Sequence, residues 1–305
     1  MSTEYIYFTA GQKEAARQTD LVSLLQSQGE HLKRSGKEYV WRDGSEKVTV
    51  RGNLWFHQYE RIGGDAVDFV RRFYNMDFPQ AVNFLLGNNG GTLPQAEPVK
   101  REPPKPFTLP PKNDNMRRVY AYLLNRRGID REVLSAFVHK GLIYESAYYH
   151  NAVFVGYDEH SIARHAHKRG TVSESTYKGN AESCDHRYSF HWTGTDNTLY
   201  LFEAPIDMLS FISLHKENWR SHNYAAACCV GDQVLFQMLK ANPNIDTVCL
   251  CMDNDAAGQA ANKRISDKLF IQGIKHDVLV PEFKDWNEDL LYDEQEETEC
   301  QTLQL

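Results

Sequence analysis

Short apolar runs alternate with helix-like stretches over the last third of the chain. Runs typical of buried strands occur at Thr198–Phe202, Tyr224–Val230, Val248–Met252 and His276–Val280. The stretches between them have helical periodicity, at Pro205–Leu214, Gln233–Ala241 and Ala256–Phe270. Strands that alternate with helices predict an α/β fold built on a parallel sheet.

The earlier part of the chain follows a different pattern. Helices are predicted at Thr19–Gln28, Ala66–Tyr74, Pro79–Leu86, Met116–Arg126 and Arg131–Phe137, with β-like segments from there to His191. The stretch from Asn88 to Asp114 is rich in proline and glycine and predicts a linker. The predicted organisation is residues 1–90, a linker at 91–113, residues 114–196, residues 197–285, and an acidic tail at 286–305.

Composition limits the class of protein. A chain of 305 residues with 41% hydrophobic residues predicts a folded protein of about two domains. Neither a membrane span nor a secretory signal is predicted, so we expect a cytoplasmic protein with reduced cysteines. The net charge of −7 disfavours nucleic-acid binding only weakly, because basic residues cluster locally, for example from Arg164 to Arg169.

Three carboxylates follow two of the predicted strands. Glu203 comes directly after Thr198–Phe202, and Asp253 and Asp255 follow Val248–Met252. The carboxyl ends of parallel strands lie at one edge of a sheet, so these side chains are expected to meet. Carboxylate oxygens are ligands for Mg²⁺, which commonly also binds phosphates. The sequence therefore predicts a divalent-metal site that acts on a phosphate-bearing substrate.

The motifs around these acids resemble the TOPRIM domain of bacterial primases. EAPID from Glu203 is similar to the primase glutamate motif, and DNDAAGQAA from Asp253 is similar to the primase metal motif. Three upstream segments resemble parts of a primase core in the same order: RRGID from Arg126, the segment from Asn151 to Gly170, and TYKGNAESCDHRYSF from Thr176. The resemblance implies a TOPRIM domain at 197–285, preceded by a small α+β primase-like accessory subdomain at 114–196.

The first ninety residues resemble a primase zinc ribbon that lacks its zinc ligands. The similarity runs from Trp55 to Leu86, but no cysteine precedes Cys184. Structural zinc needs four closely spaced Cys or His ligands, so no zinc is expected. The ribbon is expected to be held by its apolar residues, Val40, Val48, Val50, Leu54, Trp55 and Phe56.

The resemblance implies that Glu203, Asp253 and Asp255 are catalytic and bind Mg²⁺ or Mn²⁺. Asp207, one helical turn beyond Glu203, either packs or binds a second ion, and Asp285 and Asn287 are either outer ligands or helix caps. Nucleotide or DNA binding is implied for a basic group, Arg164, Lys168, Arg169, Lys178 and Arg187. His165 and His167 alternate at strand spacing and are either metal ligands or part of a solvent-facing strand; His186 and His191 pose the same choice.

The function implied is template-directed primer synthesis on single-stranded DNA from nucleoside triphosphates. A plasmid or conjugative element is the expected setting, with its replication or transfer proteins as partners. Two alternatives remain at this point. The same acids serve TOPRIM nucleases, and a chain that kept only the fold would be a single-strand-binding adaptor.

Overall fold

The computed structural model describes residues 8–43, 46–60, 62–87, 105–172, 175–228 and 231–293. The chain divides into two compact units, Met1–Pro103 and Pro104–Leu305. Within the described ranges, no helix combines the length and apolar character that crossing a bilayer requires.

The first unit is an antiparallel sheet packed against helices. Its strands are β1 (Leu32–Ser35), β2 (Glu38–Asp43), β3 (Glu46–Arg51), β4 (Leu54–His57) and β5 (Gly63–Gly64), in that spatial order. Its helices are α1 (Ala10–Arg17), α2 (Leu21–Ser27), α3 (Ala66–Phe73) and α4 (Phe78–Leu85). Helix α1 was not predicted from the sequence.

An apolar core holds this ribbon-like sheet together, and it includes some of the apolar residues that the sequence predicted for it. Val48, Val50 and Trp55 are buried among the α3 side chains, and Trp55 packs edge-on against Phe69 with 6.1 Å between the ring centroids. Val40 and Phe56 flank Thr49 in the strand register, and Phe56 is exposed. Alternation along a strand sends neighbouring residues to opposite faces, so the predicted set is divided between core and surface.

The second unit contains two sheets. The first is antiparallel, with β6 (Ile143–Glu145), β7 (Ala152–Tyr157), β8 (Ala163–Arg169) and β9 (Lys178–Asn180) in that order. The second has the order β10-β12-β11-β13-β14, formed by His191–Trp192, Asn223–Ala226, Thr198–Phe202, Thr247–Cys251 and Lys275–Val278. Strands β12, β11, β13 and β14 are parallel, and β10 is antiparallel to β12.

Helices cover both faces of the parallel sheet. They are α5 (Arg117–Tyr120), which continues as a π-helical turn at Ala121–Arg126, α6 (Arg131–His139), α7 (Pro205–Leu214), α8 (Gln233–Ala241) and α9 (Ala256–Ile271). One face packs with α6 and α7 around Phe137, Phe190 and Phe202, and the other packs with α8 and α9 around Leu201, Leu250 and Ile265. The predicted α/β fold is confirmed, and α7 and α8 have the predicted bounds.

Two predicted boundaries differ from the structure. Residues 105–113, predicted as linker, belong to the second unit: the Tyr144 hydroxyl donates to the Pro110 carbonyl oxygen at 2.6 Å, and Asn113 Nδ2 donates to Glu145 Oε1 at 2.8 Å. Residues 286–293, predicted as the start of the tail, are helical, with Trp286 and Leu290 buried in the α6–α7 core. Apolar side chains within an acidic stretch explain this difference. Residues 91–104 and 294–305 lie outside the described residues.

Candidate functional site

Four carboxylates meet in one pocket at the carboxyl edge of the parallel sheet. Glu203 follows β11 and Asp253 follows β13, and these two strands are hydrogen-bonded neighbours with Phe202 opposite Cys251. Asp207 comes from the first turn of α7, and Asp285 precedes the 286–293 helix. These four side chains, named here the acidic cluster, line a pocket of about 190 Å³. Of the three acids predicted to meet, Glu203 and Asp253 line this pocket, whereas Asp255 does not.

Burial, reinforced by nearby negative charges, raises the pKa values of Asp253, Glu203 and Asp207. Burial, reinforced by the charges of Glu203, Asp285 and Asp255, raises the pKa of Asp253 to about 7. Burial also raises the pKa of Glu203, with Lys178 opposing and Asp255 adding to the shift. Asp207 is 6% exposed, and its burial beside Asp253 and Asp285 raises its pKa well above the ordinary range. A positive charge placed among these carboxylates would favour the loss of their protons.

The acidic cluster fits a bound divalent cation. Among the described residues, Asp253 Oδ1 is a buried atom that has no hydrogen-bond partner. A buried carboxylate oxygen without a partner is costly unless a cation satisfies it. The all-oxygen donor set is the one that Mg²⁺ and Mn²⁺ prefer. Glu203, Asp253 and their neighbours are thus suited to hold such an ion.

Asp255 has a helix-capping contact. Its side chain caps α9, with Oδ1 accepting hydrogen bonds from the backbone nitrogens of Ala257 and Gly258, both at 2.9 Å. Asp285 does the same for the 286–293 helix, accepting from the backbone nitrogens of Asn287 at 3.1 Å and Glu288 at 2.9 Å. Each carboxylate has a second oxygen, so capping and metal binding are compatible for both residues.

Gly258 allows α9 to begin directly beside Asp253. A methyl group at Gly258 would overlap the carbonyl oxygen of Asp253, so the helix closes on this turn only without a side chain. We expect Gly258→Ala to shift Asp253, to lower Mn²⁺ affinity by about tenfold and to destabilise the second unit by about 1–3 kcal/mol. Electron paramagnetic resonance of free Mn²⁺ and urea unfolding measure the two effects.

Gly11→Ala is the matched control for this prediction. Gly11 also lies in a helix, α1, but nothing lies within 4 Å of the position of an added methyl group. Alanine should stabilise α1 by about 0.5–1 kcal/mol and leave Mn²⁺ affinity unchanged. Unchanged Mn²⁺ affinity in Gly258→Ala would show that the close packing of α9 does not position Asp253.

Basic side chains from four separate segments line the same pocket. Arg169 and Lys178 are cross-strand partners on β8 and β9, Arg127 follows the π-helical turn, and Lys284 precedes the 286–293 helix. The Tyr122 hydroxyl joins the two arginines, because it accepts from Arg127 Nε at 3.0 Å and from Arg169 Nε at 3.3 Å. We name these four residues the basic wall; Arg127 and Lys284 were not predicted to lie at the site.

Asn287 positions Arg127. Its Oδ1 accepts from Arg127 Nη1 at 2.9 Å, while its Nδ2 donates to the Arg127 carbonyl oxygen at 2.7 Å and to Ser210 Oγ at 3.0 Å. Because both polar atoms of its side-chain amide are used in these hydrogen bonds, Asn287 orients the Arg127 guanidinium. These contacts do not match the alternative role of an outer metal ligand.

His167 also lines the pocket, as a neutral group. Its Nδ1 donates to Asn180 Oδ1 at 2.7 Å. Burial lowers the pKa of His167 to about 4, against the opposing effect of Asn180 and together with the charges of Lys178 and Arg169. From the sequence we expected His167 to be either a metal ligand or part of a solvent-facing strand. The structure shows a third arrangement, in which His167 is a buried polar residue. The strand alternation of His167 and Arg169 was the signal that both face one site.

Three predicted basic residues lie elsewhere. Arg164 Nε is 2.7 Å from Asp158 Oδ2, and Arg187 Nη2 is 2.6 Å from Asp185 Oδ2. Lys168 faces the opposite side of β8 from Arg169, lines a different pocket and lies over the Tyr177 ring, with Nζ 5.7 Å from its centroid. His191 is also separate, because its Nδ1 contacts the Ser189 carbonyl oxygen at 2.7 Å. Of the five predicted basic residues, the structure therefore places Arg169 and Lys178 beside the carboxylates and the other three elsewhere.

Comparison with known proteins identifies two segments. Residues 200–290 match the family described as Toprim-like, and residues 121–196 match one described as a protein of unknown function, DUF3991. An uncharacterized protein of Bacillus anthracis, pXO2-78, is 26% identical over 274 residues, which cover 85% of this chain and 79% of that protein. The Toprim-like match agrees with the predicted domain and its parallel sheet.

Two solved primases were also found. The Aquifex aeolicus primase, with its zinc-binding and RNA polymerase domains, is 16% identical, covers 96% of this chain and 85% of that chain, and has a TM-score of 0.40. The primase fragment of the bacteriophage T7 primase-helicase protein is 19% identical, covers 59% of this chain and 73% of that chain, and has a TM-score of 0.44.

Proposed function

We propose that this chain, whose residues 200–290 match the family described as Toprim-like, is a primase-like nucleotidyltransferase that makes short primers on single-stranded DNA. The observation that carries the proposal is the acidic cluster with the buried, unpartnered Asp253 oxygen, opposite the basic wall. Adjacent negative and positive groups suit a substrate whose phosphates approach a metal ion. The setting we propose is replication or transfer of a mobile element, which rests on the motif resemblance alone.

The proposed metal ligands are Glu203 and Asp253, with Asp207, Asp255 and Asp285 around them. A bound Mg²⁺ or Mn²⁺ supplies charge stabilisation for the attacking and leaving oxygens of phosphoryl transfer. Arg169 and Lys178 bind phosphate oxygens of the incoming nucleotide or of the template. The Tyr122 and Asn287 hydrogen bonds hold Arg169 and Arg127 before substrate arrives, so little conformational freedom is lost on binding.

The test is incubation of the protein with single-stranded DNA, labelled ribonucleoside or deoxyribonucleoside triphosphates, and Mg²⁺ or Mn²⁺. New short oligonucleotides that depend on the metal and the template support primer synthesis. Metal-dependent cutting of the DNA without synthesis would replace the proposal with a nuclease. DNA binding that is unaffected by metal removal, with neither activity, would indicate an adaptor.

Lys178 should contribute to substrate binding through its charge. We expect Lys178→Ala to lower kcat/KM about 10–100-fold, the size of one lost charge-assisted contact, and to weaken the salt dependence of DNA binding. Lys178→Arg should restore part of the loss. Steady-state rates at varied nucleotide concentration measure the effect.

Arg164→Ala is the matched control. Like Lys178, Arg164 is an exposed basic residue of the sheet that contains β8 and β9. Its guanidinium, however, is paired with Asp158 away from the pocket. Its removal should change kcat/KM less than twofold, as expected for a surface ion pair. Equal losses in Lys178→Ala and Arg164→Ala would argue for general electrostatic attraction and against a specific contact by Lys178.

A further inference from the structure

Three metal-ligand side chains come together outside the acidic cluster. They are His165 of β8 and, from the segment after β9, Cys184 and His186. One ligand atom from each lies within 4.8 Å of the other two. His165 is fully buried, whereas Cys184 and His186 are half-buried, so the group can be reached from solvent on one side.

Backbone hydrogen bonds place the Cys184 segment alongside β8. The backbone nitrogen of Ala181 donates to the Ala166 carbonyl oxygen at 2.8 Å, and that of Asp185 donates to the Arg164 carbonyl oxygen at 2.8 Å. His165 lies between these two attachment points on β8, and Cys184 and His186 flank Asp185. The His165 and His186 rings meet edge-on, with 5.0 Å between their centroids. The meeting of these three side chains is thus fixed by the fold.

The donor atoms differ in kind from those of the acidic cluster. Two imidazole nitrogens and one thiolate sulfur suit Zn²⁺, while Mg²⁺ prefers oxygen. Tetrahedral zinc, with bonds of about 2.0–2.1 Å to nitrogen and 2.3 Å to sulfur, separates its ligand atoms by roughly 3.3–3.8 Å. Side-chain shifts of about 1 Å would bring the observed group to that geometry.

We propose that His165, Cys184 and His186 bind one Zn²⁺ ion, with water in the fourth position. The Cys184 thiol, which donates to the Ala181 carbonyl oxygen at 2.9 Å, loses its proton to solvent as the sulfur–zinc bond forms. The sequence led us to expect no zinc, because the N-terminal ribbon lacks zinc ligands; the site proposed here departs from that expectation and lies in the second unit. Bound zinc would fasten the segment after β9 to β8 and so support the hairpin that carries Arg169 and Lys178.

The test is zinc content and cobalt spectroscopy of the full chain. Protein made metal-free with a chelator and refilled with Zn²⁺ should hold close to one zinc per chain by elemental analysis. Refilled with Co²⁺ instead, it should show the near-ultraviolet thiolate-to-cobalt absorption of a sulfur ligand. Cys184→Ser should remove that absorption, and both Cys184→Ser and His186→Ala should weaken zinc binding at least tenfold.

Two controls separate this site from the rest of the molecule. His139→Ala removes an exposed histidine outside the group, and Asp253→Asn alters the acidic cluster; both should keep the zinc and the cobalt absorption. Absence of the cobalt absorption in the folded wild type would overturn the proposal. Zinc retained at wild-type affinity by folded His186→Ala, or lost in Asp253→Asn, would overturn it as well. None of these results depends on primer synthesis.

Discussion

Replacing Asp253 by asparagine is expected to reduce primer synthesis on single-stranded DNA by roughly 10²–10³-fold. Asparagine keeps the shape of the side chain but removes the negative charge at the buried Oδ1 position that the cation would satisfy. Initial rates of labelled oligonucleotide formation at saturating Mg²⁺ or Mn²⁺ measure the loss. The same variant should bind Mn²⁺ more weakly, which ties the loss of rate to the metal.

Asp267→Asn provides the matched control for Asp253→Asn. Asp267 is exposed on α9, beyond the acidic cluster, and the substitution changes the net charge of the chain by the same amount. Its activity should stay within twofold of the wild type. If Asp253→Asn kept a tenth or more of the wild-type rate, the acidic cluster would not be the centre of the reaction.

Without divalent cations, the stability of the second unit should fall as the pH rises from about 4 to about 7. The pKa of Asp253 is about 7 in the folded chain and near 3.8 when unfolded, so folding takes up a proton between these values. Below pH 4 Asp253 is protonated in both the folded and the unfolded state, so it adds no pH dependence to the stability. Above pH 7 the folded state holds an unfavourable Asp253 carboxylate. The expected loss is on the order of 2–4 kcal/mol, allowing for partial solvent screening.

Urea unfolding at pH 5 and pH 8 checks this expectation. The wild type should lose stability between the two pH values, and Asp253→Asn should lose less and be the more stable protein at pH 8. Mg²⁺ or Mn²⁺ at pH 8 should raise the stability of the wild type more than that of Asp253→Asn. Identical pH profiles for the two proteins would mean that Asp253 titrates normally and that the carboxylates are farther apart in solution.

The local pattern of the sequence predicted most of the secondary structure of the second unit. Pro205–Leu214 and Gln233–Ala241 are helices with the predicted bounds, and Thr198–Phe202 is a strand as predicted. Burial on one helix face or in a strand leaves a periodic signal within a few residues. Glu203 and Asp253 could be joined from sequence because both follow strands, and parallel strands share their carboxyl edge.

The remaining site residues were decided by tertiary structure. Arg127 and Asn287 are separated by 160 residues, yet they share hydrogen bonds beside Asp207. Arg164 and Arg169 belong to one basic run in the sequence, but the fold pairs Arg164 with Asp158 and turns Arg169 to the pocket. Periodicity records which side of its own element a residue occupies and carries no information on which distant element lies opposite.

The two groups of metal-ligand side chains show the same division. The Asp253–Asp255 motif is visible in the sequence because a strand end and a helix start hold it within one turn. From the sequence, His165 was grouped with His167 because the two alternate along β8. The fold instead places His165 with Cys184 and His186 from the segment after β9. The sequence alone determined most of the strands and helices of the second unit and the acids at strand ends. Packing between distant segments decided which side chains face one another, because those contacts form only when the sheets and helices assemble.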